Sequence, residues 1–544
     1  MSELANKINT SEKRLFVGLA GPGTGKSTAF KTIADSDEFK GKKILILSFI
    51  NKLVDDLSTD FRDYGDVKVL TLHSFALGKF KEFAGAEIIL EEDLDDLISE
   101  DSLFIKDQKI NYKEKLYEGS LNKDEESFYK ERSKLYGGSQ KLYSFNSIIY
   151  AVNRLFEEQE DKIPNDYNLI LVDEFQDFNQ LEYNLICHLN KKNKVVIVGD
   201  DDQSLYGWKN AKPNLIRDLY DHENSDNFTL DYCYRCPEII IKAVNSLVKN
   251  ATDKGFLSDR KNKQFLCPSD LDQAKIEINN KYPKIDFLSG IKGDQLIYQL
   301  SERIQSDTNG EKNRILIIIP SYLKQSVQDG LLRKGFHIVE FELFANEERN
   351  KIKHRKIIDA FTVLSKRKTD NLALRKVLSL YLETSELKEL IKNSCTKNKS
   401  LWNTLAKNTK QKIESDIGLF KKARTGEKLL SDKELLRFNE IFNLKNLISK
   451  MIKGFSRIQK GSMELEMTTT MSSKGLSADF VYYLGIDDKD MLNRKTKKLT
   501  DQKICEFLVG LTRAKKKLTL IAKEDSNPKV LEFIDSDCIN ILTS

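Results

Sequence analysis

The stretch Ala20-Gly21-Pro22-Gly23-Thr24-Gly25-Lys26-Ser27 constrains this chain more than any other. An apolar run, Leu15-Phe16-Val17-Gly18-Leu19, leads into it, and Thr28-Ala29-Phe30-Lys31-Thr32-Ile33 follows with helical character. A strand, a glycine-rich turn and a helix start, in that order, are the context a phosphate-binding loop requires. The glycines let backbone N–H groups approach phosphate oxygens, and the helix N-terminus favours negative charge. In such a loop Lys26 reaches the β- and γ-phosphates, and the Ser27 hydroxyl helps to hold Mg²⁺. Such a loop also commits the chain to a parallel sheet, because strands that alternate with helices must cross over to pair.

The remaining apolar runs fit that frame. Ile44-Leu45-Ile46-Leu47-Ser48-Phe49, Leu169-Ile170-Leu171-Val172 and Val195-Val196-Ile197-Val198 have the length of buried strands, and Val67 to Phe75 reads as another strand with a polar tip. Further along, Ile315 to Ile319, Phe336 to Val339, Phe480 to Leu484 and Leu518 to Ile521 suggest a second sheet. Between these lie two stretches without strand pattern, from about Lys79 to Tyr143 and from about Asn346 to Lys460. Both read as helical, and the aromatics from Tyr112 to Tyr150 read as the core of the first. At 544 residues the chain is too long for one ordinary core.

Composition excludes little. The net charge is +5 from 88 basic and 83 acidic residues, so the overall balance does not announce a nucleic-acid partner. The run Lys515-Lys516-Lys517 reads as a solvated face. Seven cysteines follow no regular framework; Cys233 and Cys236 form one CxxC without a second pair, which points to reduced thiols in a cytoplasmic protein. No apolar run reaches membrane-spanning length, so no membrane partner is expected.

Two strand ends carry chemistry. Asp173-Glu174-Phe175-Gln176-Asp177 follows Val172. Beside a phosphate-binding loop, the first carboxylate suits Mg²⁺ and the second suits the orientation and deprotonation of an attacking water. Gly199-Asp200-Asp201-Asp202-Gln203-Ser204-Leu205-Tyr206-Gly207-Trp208-Lys209 follows Val198. The Gln203 amide offers both donor and acceptor to a γ-phosphate. Tyr206 and Trp208 suit either a platform for unpaired bases or ordinary core packing.

Taken in order, these stretches resemble the motifs of superfamily 1 helicases of the UvrD/Rep/PcrA type. Ser48-Phe49-Ile50-Asn51-Lys52, Thr71-Leu72-His73-Ser74-Phe75, Leu230-Asp231-Tyr232-Cys233-Tyr234-Arg235, Thr468 to Leu476 and Val509-Gly510-Leu511-Thr512-Arg513-Ala514-Lys515 complete the series. The resemblance implies an α/β fold of two RecA-like P-loop NTPase domains, with parallel sheets and two mainly helical insertions. The implied boundaries are 1–78 and 146–232 for the first RecA-like domain, interrupted by an insertion at 79–145. The second is implied at 233–345 and 461–544, interrupted by a shortened insertion at 346–460.

The resemblance also implies ATP and Mg²⁺ as cofactors. Gly21, Gly23, Thr24, Gly25, Lys26, Ser27, Thr28, Tyr234 and Gly475 would hold the nucleotide, with Tyr234 stacked on adenine. Ser27 and Asp173 would hold the metal. Lys26, Asp173, Glu174, Gln203, Arg235 and Arg513 would carry catalysis, the two arginines as fingers toward the γ-phosphate. Phe49, Asn51, His73, Tyr206, Trp208 and Lys209 would line a path for single-stranded DNA or a 3′-tailed duplex. The implied activity is ATP-driven 3′→5′ translocation or unwinding. The alternative is an NTPase that regulates a partner, such as the separate nuclease subunit found beside compact members in anti-phage systems of the Gabija type. The chain departs from the family pattern at Met471, where His is usual, at Ser477, where Glu is usual, and at Lys209-Asn210, where Arg-Gly is usual. No Gln occurs before Gln108, although the family usually has one ahead of the phosphate loop.

Overall fold

The computed structural model describes residues 2–48, 51–85, 87–203, 210–291, 293–308, 313–339, 345–396, 400–425, 431–442, 464–493, 495–524 and 527–542. Contacts divide the chain into two compact units. One comprises Met1–Phe75, Leu155–Glu342 and Gly461–Ser544; the other comprises Ala76–Arg154 and Leu343–Lys460.

The first unit holds two parallel sheets. Strands β1 (Leu15–Ala20), β2 (Ile44–Ser48), β3 (Val67–Thr71), β4 (Leu169–Val172), β5 (Val195–Gly199) and β6 (Ser225–Leu230) form the first, in the order β3-β2-β4-β5-β1-β6. Strands β7 (Ile285–Leu288), β8 (Ile315–Ile318), β9 (His337–Val339), β10 (Glu464–Thr468), β11 (Ala478–Leu484), β12 (Ala514–Ile521) and β13 (Ile539–Leu542) form the second, in the order β9-β10-β8-β11-β12-β7-β13. Both sheets are covered by helices, so their central strands are apolar along their whole length: β2, β4, β5 and β8 are buried at every position. The helix Lys26–Asp35 returns along the first sheet and buries Ala29, Phe30, Ile33 and Ala34 against it.

Three details differ from the sequence reading. The strand at 67–75 stops at Thr71 and a helix starts at Leu72. Its start is fixed locally, because the Thr71 hydroxyl accepts the Ser74 N–H at 3.1 Å. Strands β6, β7, β10 and β13 are not marked by an apolar run: β7 and β13 are only four residues long, β7 (Ile-Asp-Phe-Leu) carries a carboxylate, and β6 (Ser-Asp-Asn-Phe-Thr-Leu) and β10 (Glu-Leu-Glu-Met-Thr) are more than half polar. The run Lys515–Lys517 is not simply a solvated face. It lies inside β12, and Lys517 bridges Asp286 at 2.9 Å and Asp307 at 2.8 Å.

Among its described residues the second unit is helical apart from a short parallel pair, Ile88–Leu90 with Lys141–Tyr143. Its single core draws Leu94, Ile98, Tyr112, Phe128 and Tyr136 from one chain segment, and Phe361, Leu374, Trp402, Phe420 and Phe442 from the other. A buried polar knot ties the two together. Asp101 receives Arg132 Nε at 2.8 Å and the Tyr136 hydroxyl on one oxygen, and Arg375 Nε at 3.0 Å on the other.

Candidate nucleotide site

The loop after β1 is shaped by its glycines. Gly23 and Gly25 have φ of +72° and +80°, a region in which a side chain is strained. A Cβ at Gly23 would also lie 2.5 Å from the Cβ of Arg235. The Tyr234 N–H donates to Gly23 O at 2.9 Å, and the Cys233 thiol donates to Pro22 O at 3.2 Å. The stretch that follows β6 is therefore laid against the phosphate loop, with the Tyr234 side chain exposed beside Gly25. Thr24 closes the loop internally, its hydroxyl donating to Gly21 O at 2.9 Å. Ser27 and Thr28 occupy the first turn of the helix that starts at Lys26.

Lys26 Nζ lies 2.7 Å from Glu174 Oε1. Burial opposes the charge on Lys26, but Glu174, Asp173 and Asp200 outweigh it and raise its pKa. Glu174 has φ +53°, ψ +39°, an uncommon backbone for a residue with a side chain and one that recurs at functional sites. Burial pushes its carboxyl up, but Lys26 and Lys474 outweigh burial and hold it far below its ordinary value. Burial and the neighbouring Glu174 charge push the Asp173 carboxyl the other way. Two adjacent carboxylates are thus separated in acidity.

Sequence reasoning missed two partners here. Gln176 donates to Glu174 Oε2 at 2.6 Å, and its Oε1 accepts the Asp200 N–H at 2.9 Å, so one buried amide links the β4 and β5 strand ends. Lys474, on the turn after β10, reaches over from the second sheet. Its Nζ pairs with Asp177, lies 3.5 Å from Glu174 Oε2 and donates to Gln203 O at 2.8 Å. Burial pushes Asp177 up to about 6 in spite of Lys474. Both residues lie inside stretches singled out for other members, and only proximity in space reveals their roles.

The turn after β5 carries three buried carboxylates. Among the described residues, Asp200, Asp201 and Asp202 are the group close enough together to hold a cation, and Lys263 Nζ already sits among them at 2.5, 2.6 and 3.1 Å. Gln203 follows directly. Its Oε1 accepts Arg513 Nη2 at 3.4 Å. Arg513 is fully buried, donates to Val509 O at 2.8 Å and Leu476 O at 3.2 Å, and so is held by its own sheet while pointing at the other. Burial, with the like charge of Arg235, pushes its pKa down to about 9, which leaves it charged at neutral pH.

Lys26, Asp173, Glu174, Gln203, Lys474 and Arg513 line one cleft of about 700 Å³, together with Gly475, whose φ of +82° turns the chain after Lys474. The structure thus brings together Gly23, Thr24, Gly25, Lys26, Ser27, Thr28, Asp173, Glu174, Gln203, Tyr234, Arg235, Gly475 and Arg513. Gly21 stands behind the loop against Phe265. The residues expected on a DNA path are another matter. Phe49, Tyr206, Trp208 and Lys209 lie outside the described residues, as does the side chain of Asn51, which starts a helix. His73 lies in the first turn of the helix that begins at Leu72, half-buried.

The donor set suits a nucleotide triphosphate and a hard cation. A loop of backbone N–H groups, a half-buried lysine and two arginines face the place where phosphates would lie, and a hydroxyl and a carboxylate stand beside them. Three buried polar atoms of this neighbourhood, Asp177 Oδ1, Asp200 Oδ2 and Gln203 Nε2, have no hydrogen-bond partner among the described residues. All seven cysteines are free thiols. No helix among the described residues is long and apolar enough to cross a membrane.

Comparison with known proteins finds similarity to DNA helicases. Residues 91–224 match the family model of the UvrD/REP helicase N-terminal domain. The chain is 24% identical over 611 positions to the probable DNA helicase II homolog of Mycoplasma genitalium, an alignment covering 96% of this chain and 84% of the relative. It is 25% identical to the ATP-dependent DNA helicase Rep of Buchnera aphidicola, over 64% of this chain and 61% of that protein. Over a shorter span of 83 residues, 15% of this chain and 12% of the relative, it is 46% identical to DNA helicase II of Escherichia coli.

Proposed function

From its similarity to UvrD/Rep-type superfamily 1A helicases, we propose that this chain hydrolyses ATP to step along single-stranded DNA in the 3′→5′ direction. The observation that carries the reading is the convergence, in one cleft, of Lys26 and Glu174 from the first sheet with Lys474 and Arg513 from the second. A motor of this kind needs its two sheets to share a reaction centre, because only then does hydrolysis change the distance between them.

Each residue has a task. Backbone N–H groups of Gly23 to Lys26 cradle the phosphates, and Tyr234 offers its exposed ring to adenine. Ser27 and Asp173 would hold Mg²⁺, which neutralises charge on the β- and γ-phosphate oxygens when bound. Glu174 orients the attacking water and takes its proton. In the structure Glu174 is neutralised by two lysines and is a weak base. When Lys26 turns to phosphate, Glu174 loses one of them and its basicity rises. Gln203, Arg235 and Arg513 answer to the γ-phosphate, and Gln203 passes that signal on toward residues 206–209 of the proposed DNA path.

The test is steady-state ATPase with and without single-stranded DNA, with Lys26→Ala as the blank. Strong stimulation by DNA is expected, followed by displacement from a 3′-tailed duplex in preference to a 5′-tailed one. Turnover that ignores DNA but responds to a protein partner would replace this reading with that of a partner-regulating NTPase.

A further inference from the structure

The three carboxylates ahead of Gln203 have an unusual set of counter-ions. Asp200, Asp201 and Asp202 are buried to within 3% of full burial, and three like charges in one turn repel unless each is met. Two of their cations come from a single later segment. Arg260 grips Asp202 with Nε at 3.0 Å to Oδ1 and Nη2 at 2.9 Å to Oδ2. Lys263 touches all three. The Lys261 N–H adds a bond to Asp201 Oδ2 at 2.9 Å, and Arg217 meets the same oxygen at 3.0 Å.

The same segment then makes contacts of another kind. Phe265 packs so closely on Gly21 that a Cβ there would sit 2.8 Å from its ring. Leu266 donates to Asp231 O and accepts from the Cys233 N–H, each at 2.8 Å. Residues 260–266 therefore touch the phosphate loop, the turn before Gln203 and the stretch bearing Tyr234 and Arg235, all at once. Asp200 is the joint. Its Oδ1 takes Lys263, its N–H donates to Gln176, and its carbonyl accepts the Gln203 N–H at 2.9 Å.

We propose that Lys263 and Arg260 are positioning residues that hold Gln203 and Gln176 in register with the phosphate loop. This rests on the reading of Gln203 as the γ-phosphate contact. Neither cation touches the reacting atoms. They fix the turn that presents Gln203, and through Gln176 they fix the amide that orients Glu174.

The test compares Lys263→Met with Lys263→Arg and Arg260→Gln. In Lys263→Met, kcat is expected to fall about a hundredfold, the scale of a misplacement of about an ångström. The dissociation constant of a fluorescent ATP analogue stays within a few-fold of wild type. Lys263→Arg recovers part of kcat, and Arg260→Gln gives a smaller loss of the same kind. Lys517→Met, which opens the ion cluster with Asp286 and Asp307 in β7 and its neighbourhood, serves as the structural control. It is expected to lower the melting temperature and leave kcat unchanged. A folded Lys263→Met with wild-type kcat overturns the proposal, as does a loss confined to ATP affinity. Should Lys263→Met not fold, a wild-type kcat in both Lys263→Arg and Arg260→Gln overturns it equally. Hydrogen exchange over residues 195–203 separates the two readings. Faster exchange in Lys263→Met supports the clamp even in a chain without turnover, which would itself remove only the role given to Gln203.

Discussion

Two buried clusters of acids and bases in this molecule look alike and behave differently. In the helical unit, Asp101 is met by Arg132, Arg375 and Tyr136, and neither of its oxygens lacks a donor. In the cleft, Lys26, Lys474, Glu174 and Asp177 pair just as closely, yet Asp177 Oδ1, Asp200 Oδ2 and Gln203 Nε2 find no partner among the described residues. A closed network of this kind fixes a packing arrangement. An open one, with its acidities driven apart and a glutamate in a left-handed backbone, is held ready for chemistry. The two clusters differ in the completeness of their hydrogen bonding, not in burial or charge.

The contrast is sharpest at Glu174. Glu174→Gln keeps the shape and the Gln176 contact but cannot take a proton. ATP turnover is expected to drop by about 10²–10⁴, the usual worth of a general base, with analogue affinity retained. Near-normal turnover in that variant would remove Glu174 as the base. In the helical unit the same change of one atom acts on folding. Asp101→Asn leaves Arg132 buried without its anion and Arg375 with Glu100 alone, and a loss of about 3–5 kcal/mol of stability is expected in urea denaturation of the full chain. Nucleotide affinity unchanged at low urea would confirm that the knot is structural; an ATPase defect in the still-folded variant would break the comparison.

Smaller changes refine it. Tyr136→Phe removes one donor to Asp101 while both arginines stay, so about 1–3 kcal/mol is expected from the same denaturation curves. Asp177 titrates near 6, above the ordinary carboxylate value, because it is buried. A raised acid pKa means that the folded state holds its proton longer than the unfolded one, so this group's contribution to stability is lost as pH rises from about 4 through about 6. Asp177→Asn is expected to remove that slope, read as a melting-temperature difference from wild type that changes over this window and is level above pH 7.

Part of this was legible in the sequence because the stretches bearing Lys26, Asp173, Glu174 and Gln203 each follow a buried strand. The apolar run names the strand, and the polar residues after it name what stands at its end. Lys26, Asp173, Glu174 and Gln203 were found that way. Gln176, Lys474 and Lys263 were not, although the first two lie within quoted motifs. Their partners are set by the crossing of strands far apart in sequence: Lys474 meets Asp177 only because β10 and β4 end at the same cleft. Strand β7 was hidden by its own Asp286, a charge that makes sense only once Lys517 and Asn540 are seen beside it. Residues 72–75 read as strand because they continue the run of β3; Leu72 and Phe75 stand three apart, a helical spacing, but over too short a span to show a period.

The divided core of the helical unit has a consequence for how the chain is made. The first sheet has all its strands once Leu230 is synthesised. The helices of 94–137 have by then also emerged, but Leu94, Ile98, Phe104 and Phe128 pack on Phe361, Leu374 and Ile391, which are still to come. An apolar face made early must wait for its cover while the first sheet is completed and three strands of the second are added. Contacts of such separation close slowly. Vectorial synthesis therefore leaves the half-built helical unit as the part of this protein most in need of a chaperone, and a premature stop before Phe442 leaves that face uncovered even when the phosphate loop and its sheet are complete.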